Sequence, residues 1–170
     1  MEERFERHHP DMKAMHRAFR TDPCFVCRIV DGNFRFPENV IYEDERSLVF
    51  LDGYPRAYGY TLVAPKEHRK QVTGDFTPEE YLDIQKLLYR VTEAVREEVG
   101  AERMYLYDLG SNQGNSHAHW HVVPLPPGVP YEDQPGSWAS WGMGILKIPS
   151  EEMADLAARI GRKIERIYPD

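Results

Sequence analysis

Three histidines at alternate positions, His117-Ala118-His119-Trp120-His121, form the most reactive pattern in this 170-residue chain. Side chains alternate along a strand, so a strand over 117–125 puts His117, His119 and His121 on one face. Ala118, Trp120 and Val122 then turn to the other face, where apolar residues can meet a core. Residues two apart on a strand are about 6.6 Å apart, so the outer histidines are separated by about 13 Å. Neighbouring imidazoles can share one metal, but three in series strain to do so, because a zinc–nitrogen bond is only about 2.0–2.1 Å. A division of labour suits this spacing better. Neutral imidazole is a good nucleophile toward phosphorus, and a covalent intermediate divides one hard displacement into two easier ones. Such a site must also hold the phosphate oxygens and assist the leaving group. Immediately upstream, Gly110-Ser111-Asn112-Gln113-Gly114-Asn115-Ser116 supplies hydroxyl and amide donors. Its glycines let backbone N–H groups approach an anion, although ordinary hairpin connections share this composition.

A second reactive pair is Cys24-Phe25-Val26-Cys27, which contains the only two cysteines. A secreted disulfide scaffold would carry more. The pair is either redox-active or half of a zinc site. The redox reading wants a strand-to-helix turn beside a βαβ pattern, which the sequence lacks. Zinc needs two further ligands. His8, His9 and His16 lie in a charged N-terminal stretch without ligand spacing. Lys66, Arg69 and Lys70 surround His68, either raising the local potential for a polyphosphate or forming a solvated basic turn.

The elements that must carry these groups follow from pattern. Val40–Asp44 and Ser47–Asp52 read as paired strands, and Tyr60–Ala64 as a third, stopped by Pro65. Thr77-Pro78-Glu79-Glu80 is a capping box with Pro at the first helical position. Behind it, Tyr81, Ile84, Leu88, Val91, Val95 and Val99 form one stripe, and Gly100 ends the helix. Met104–Tyr107 is a fourth strand and 117–125 a fifth. Ser150 caps a C-terminal helix over Glu151–Ile167, with Met153, Leu156, Ile160, Ile164 and Ile167 on one face. The segment Cys24–Val30 fits either a short helix or a strand before the turn at Asp31-Gly32-Asn33. The expected class is α+β.

Bulk composition bounds the partners. The chain carries 21 Lys plus Arg against 28 Asp plus Glu, a net charge of −7. That opposes a general nucleic-acid binder, while leaving room for a small phosphorylated ligand. The length fits one domain with a sizeable core. No run reaches the roughly 18 apolar residues of a membrane span, and the first residues lack signal-peptide architecture. The expectation is a cytoplasmic protein with neither nucleic-acid nor membrane partners.

His117-Ala118-His119-Trp120-His121-Val122-Val123 resembles the histidine-triad motif, His-φ-His-φ-His-φ-φ with φ apolar. The resemblance extends in order over Tyr42-Glu43-Asp44-Glu45, Phe50-Leu51-Asp52 and Gly59-Tyr60-Thr61-Leu62-Val63-Ala64-Pro65-Lys66-Glu67-His68, covering about residues 24–125. It implies a HIT-like fold: an antiparallel five-stranded sheet, a long helix inserted between the fourth strand-like segment and the triad hairpin, and pairing into a homodimer. Here a C-terminal helix is added. The organisation expected is an N-terminal arm (1–22), a HIT domain (23–128), and a C-terminal extension (129–170) whose helix packs on that domain.

The resemblance also implies chemistry. Family members hydrolyse or transfer nucleoside monophosphates, on substrates that include diadenosine polyphosphates, nucleoside phosphoramidates and sugar nucleotides. By position, His119 is the nucleophile at the α-phosphorus, and His121 contacts the phosphate and favours leaving-group departure. Asp52 falls where ribose hydroxyls are held, Phe50 helps line the base pocket, and Asn115 and Ser116 lie near the phosphate. Some bacterial members, and the related sugar-1-phosphate uridylyltransferases, place a structural zinc on residues matching Cys24, Cys27, His68 and His117. Two departures stand out. The third strand usually opens Gly-His, and here it is Gly59-Tyr60. Beyond Pro130, no family motif aligns. The reading is therefore a nucleotide hydrolase or nucleotidyl transferase, most specifically a dinucleoside polyphosphate hydrolase. The alternatives are a non-catalytic nucleotide-binding or sensing module and a metalloenzyme using two triad histidines.

Overall fold

A five-stranded, fully antiparallel sheet forms the centre of the chain, with strands in the order β2-β3-β4-β6-β5. The computed structural model describes residues 4–33, 36–108, 116–134 and 139–167. The strands are β2 (Val40–Glu43), β3 (Ser47–Leu51), β4 (Thr61–Pro65), β5 (Arg103–Tyr107) and β6 (Trp120–Leu125). Helix α3 (Pro78–Val99) is inserted between β4 and β5, and α4 (Ser150–Ile167) follows the sheet. This is the α+β arrangement read from the pattern.

β3, β4 and β6 are buried along their whole lengths, so both faces of the sheet are covered. On one face Val49, Leu51, Val63, Trp120 and Val122 meet Ile84, Leu88, Val91 and Val95 of α3, and Leu156, Ile160 and Ile164 of α4. Burial of these stripes holds the helices down, each large side chain contributing about 1.5–3 kcal/mol. α3 starts on the reciprocal capping box of Thr77 and Glu80, and stops at Gly100 in the left-handed region (φ 64°). α4 lies so close to β2 that a Cβ at Gly161 would come within 2.8 Å of the Ile41 carbonyl oxygen.

On the other face Leu48, Phe50, Tyr60, Leu62, Val123 and Leu125 meet Val26, Ile29, Ala57 and Ala139. Val26 and Ile29 belong to α2 (Phe25–Val30), which resolves the ambiguous cysteine segment as a helix. The histidine-bearing face is therefore also a core face, whereas alternation alone assigned the apolar packing to the opposite side.

Among the described residues, two short elements precede α2. After β1 (Arg7–His8) comes α1 (Met12–Thr21), capped by the Asp11 side chain. β1 pairs antiparallel with β7 (Ile145–Leu146) of the C-terminal extension. Leu146 N–H donates to the Pro55 carbonyl at 2.8 Å, and Arg7 Nη1 to the Arg56 carbonyl at 3.0 Å. Segments before and after the sheet thus both hold the loop between β3 and β4.

Candidate active site and adjoining candidate metal site

The expected strand over 117–125 begins in the ladder only at Trp120. Ser116 turns the chain in the left-handed region (φ 56°), the one non-glycine with positive φ among the described residues. Ala118 N–H then donates to the Arg69 carbonyl at 2.7 Å rather than to a strand partner. This departure from β geometry, before the strand is captured between β4 and β5, separates the surroundings of His117 from those of His119 and His121.

His117 is buried and points away from solvent. Its Nε2–H donates to the Pro65 carbonyl at 2.8 Å, which leaves Nδ1 as a lone-pair donor. Nδ1 lies 3.3 Å from Cys24 Sγ and 3.8 Å from Cys27 Sγ, while His68 Nδ1 is 3.3 Å from Cys27 Sγ. The four ligand atoms all fall within 4.8 Å of one another. A tetrahedral zinc with sulfur at about 2.3 Å and nitrogen at about 2.0–2.1 Å needs sulfur–nitrogen edges of about 3.5 Å, so the donor set fits. Burial and the neighbouring Cys24 push the Cys27 thiol up to about 11. A dication is the partner that reverses this and draws out thiolates.

His119 is anchored the opposite way round. Its Nδ1–H donates to the His117 carbonyl at 2.7 Å, so in the neutral ring the lone pair lies on Nε2. The ring is half-buried, with Phe25 edge-on at 5.3 Å and His121 at 4.8 Å between centroids. Phe25, in turn, meets Phe50 edge-on at 6.1 Å. Phe50 itself is buried in the second core.

His121 is buried in a cage of aromatic groups. Tyr107, its cross-strand partner on β5, stacks on it at 4.8 Å with a 20° interplanar angle. Tyr60 presents its hydroxyl 3.0 Å from His121 Nδ1 and 2.5 Å from the Tyr107 hydroxyl. Burial first, then the neighbouring His119 and Arg56, push His121 down to about 2, so it is neutral at physiological pH. Gly59 (φ 85°) delivers Tyr60 here; a Cβ at that position would come within 2.7 Å of Val99 on α3.

Asp52 is also buried, and its carboxylate already has partners. Oδ1 accepts from Tyr54 N–H at 2.9 Å, and Oδ2 from Arg56 Nη2 at 3.2 Å. The Arg56 guanidinium lies between two rings, 4.5 Å from Tyr60 and 4.3 Å from Trp141. Asn115 lies outside the described residues, as does the loop from Gly110 through Asn115. Sequence reasoning missed Phe25, Arg56, Tyr107 and Trp141. Only Tyr107 left a signal, since it ends the expected strand that precedes the triad strand.

The basic turn around His68 is largely neutralised. Arg69 forms ion pairs with Glu67 and Glu80, each at 2.7 Å, and Lys66 pairs with Glu43 at 2.9 Å. The field for a polyphosphate that these two cations suggested is spent on their own carboxylates. A cleft of about 690 Å³ opens on this side, between Arg46, Lys66 and Arg90, and holds none of the triad histidines.

The HIT domain family model matches residues 33–127, which include all three histidines and every strand of the large sheet. The chain belongs to the HIT family. This is a family of nucleotide-binding hydrolases and transferases. Protein hit of Bacillus subtilis is 29% identical over 146 residues, covering 83% of this chain and 94% of its own. An uncharacterized HIT-like protein of Methanocaldococcus jannaschii is 32% identical, covering 59% of this chain and 78% of its own. Among solved structures, a Zn-bound histidine triad family protein from Mycobacterium smegmatis superposes with a TM-score of 0.66 at 28% identity. That match covers 85% of this chain and 93% of the other. The HIT match stops at 127, so Trp141, β7 and α4 lie beyond it, as β1 and the cysteine pair lie before it. No helix among the described residues is long and apolar enough to cross a membrane.

Proposed function

We propose that this HIT protein is a nucleotide hydrolase or nucleotidyl transferase acting at the α-phosphorus of a dinucleoside polyphosphate or related nucleoside phosphate. The observation that carries this reading is the anchoring of His119. In a neutral ring whose Nδ1–H is held by the His117 carbonyl, the lone pair lies on Nε2. That lone pair attacks phosphorus, and the electron pair of the scissile P–O bond departs with the distal phosphate. His121, neutral and 4.8 Å away, donates from its ring N–H toward the phosphate or the leaving oxygen. Water then adds to phosphorus and the P–N pair returns to His119. One proton from that water passes to solvent and the nucleoside monophosphate is released.

In this reading Phe50 and Phe25 form the apolar wall beside the base. Asp52, held by Arg56, accepts from the ribose hydroxyls, and Asn115 and Ser116 lie next to the phosphate. Zinc on Cys24, Cys27, His68 and His117 is structural, because four protein ligands close its coordination sphere. When bound, it ties α2 to the triad segment and fixes the carbonyl that orients His119. The protein acts as a cytoplasmic homodimer.

Incubation with a radiolabelled adenosine polyphosphate and acid quench tests the mechanism. Adenylylated protein labelled on His119 is expected. Full turnover by His119→Ala would overturn it, and AMP binding without turnover would point to the sensing module.

A further inference from the structure

The Gly-Tyr at 59–60 departs from the family's Gly-His, and Tyr60 stands in a hydrogen-bonded line with Tyr107 and His121. Three groups share two protons along that line. Tyr107 donates to Tyr60 and Tyr60 to His121 Nδ1, or His121 Nδ1–H donates to Tyr60 and Tyr60 to Tyr107, or Tyr60 accepts from both and turns its own O–H off the line. A phenol is a much stronger acid than a neutral imidazole N–H, and imidazole nitrogen is a stronger base than phenol oxygen. The first order pairs the best donor with the best acceptor. Arg56 strengthens it, because a cation over the Tyr60 ring at 4.5 Å draws electrons from the phenol and sharpens its O–H as a donor.

We propose that Tyr60 and Tyr107 are positioning residues: their relay, Tyr107 O–H to Tyr60 and Tyr60 O–H to His121 Nδ1, holds His121 as the neutral tautomer with its proton on Nε2. The other tautomer of His121 either breaks the 3.0 Å contact, reverses the line, or makes Tyr60 accept twice and leaves its buried O–H without either of these acceptors. The stacked Tyr107 ring prevents the imidazole from flipping to present the other nitrogen. An imidazole at position 60 could take up or share a proton near neutral pH. The buried phenol does not, since burial pushes Tyr60 up from its ordinary value. Among the described residues the groups that face His121 are Tyr60, Tyr107, His119 and Arg56, and none of these four carries a carboxylate. The tautomer assignment stands on geometry alone; its use in donating to the substrate rests on the nucleotidyl-transfer reading.

Histidine labelled with ¹⁵N and read by long-range proton–nitrogen correlation reports the tautomer directly. In the wild-type protein His121 is expected on Nε2–H. Tyr60→Phe keeps the ring and its stacking on Arg56 but removes the donor. His121 should then populate Nδ1–H, with kcat falling roughly tenfold and KM changing less than about twofold. Tyr107→Phe should shift the same signals less and lower kcat about threefold, and Tyr60→His should restore kcat. Tyr107 is half-buried, so its variant carries the test if Tyr60→Phe does not fold. A wild-type His121 protonated on Nδ1 overturns the proposal, as does an unchanged tautomer or kcat in folded Tyr60→Phe. If no nucleotide labels His119, the nucleotidyl-transfer reading fails, and the tautomer comparison still decides the relay.

Discussion

His117 and His119 are two residues apart and have the same side chain, yet their rings are anchored by opposite nitrogens. His117 gives Nε2–H to Pro65 and turns Nδ1 toward two thiols. His119 gives Nδ1–H to the His117 carbonyl and keeps Nε2 open. One ring completes a closed four-donor cluster, while the other retains a lone pair beside a neutral partner. The role of each of these two histidines is set by which backbone carbonyl takes its proton. This anchoring also links the two regions, because the carbonyl orienting His119 belongs to a residue of the four-donor cluster. Stability is expected to reside mainly in the first region and turnover in the second.

Substitutions can break this division. The largest effect is expected from His119→Ala, which should lower kcat by at least about a thousandfold while leaving the thermal midpoint within a few degrees. A large loss of midpoint would show that the second region is structural as well. Cys27→Ser should do the reverse. Metal content by mass spectrometry should fall from one zinc per chain toward zero, and unfolding free energy by about 3 kcal/mol or more. The residual folded protein should still form a covalent His119 adduct. Arg56→Leu leaves the buried Asp52 carboxylate without its cation, and denaturant titration should register a loss of about 3 kcal/mol. Arg56→Leu with Asp52→Asn should recover part of it, which would place this pair with the structural region.

The smallest effect, taken per pH unit, concerns acid. His121 is held well below its unfolded value of about 6.5, so below that pH the unfolded chain binds a proton that the native chain does not. Its contribution is therefore present above about pH 6.5 and is lost as pH falls toward about 2. The slope expected is about 1.4 kcal/mol per pH unit. Comparing denaturant unfolding at successive pH values for wild type and His121→Asn isolates it. Equal slopes would show that His121 is not buried neutral.

Much of the frame was legible because it follows from local rules. The period of α3, its capping box and its terminal glycine are written in consecutive residues, and α4 is equally periodic. The triad motif was legible for the same reason. What could not be read was non-local. Arg56 gives no sign in the sequence that it sits between Tyr60 and Trp141, 85 positions further on. The pairing of β1 with β7 joins two-residue segments too short to carry a pattern. The start of β6 at Trp120 rather than at His117 depends on the turn at Ser116 and on where neighbouring strands end.

By itself the sequence determined which groups can do chemistry and the order in which they come: two thiols, an isolated histidine, then three at alternate positions. Tertiary structure decided what each became. Strand register set Tyr107 against His121, and packing of α2 brought the thiols to His117. The physical reason is that the role of an imidazole depends on its hydrogen-bond partners and burial, and those are supplied by segments tens of residues away.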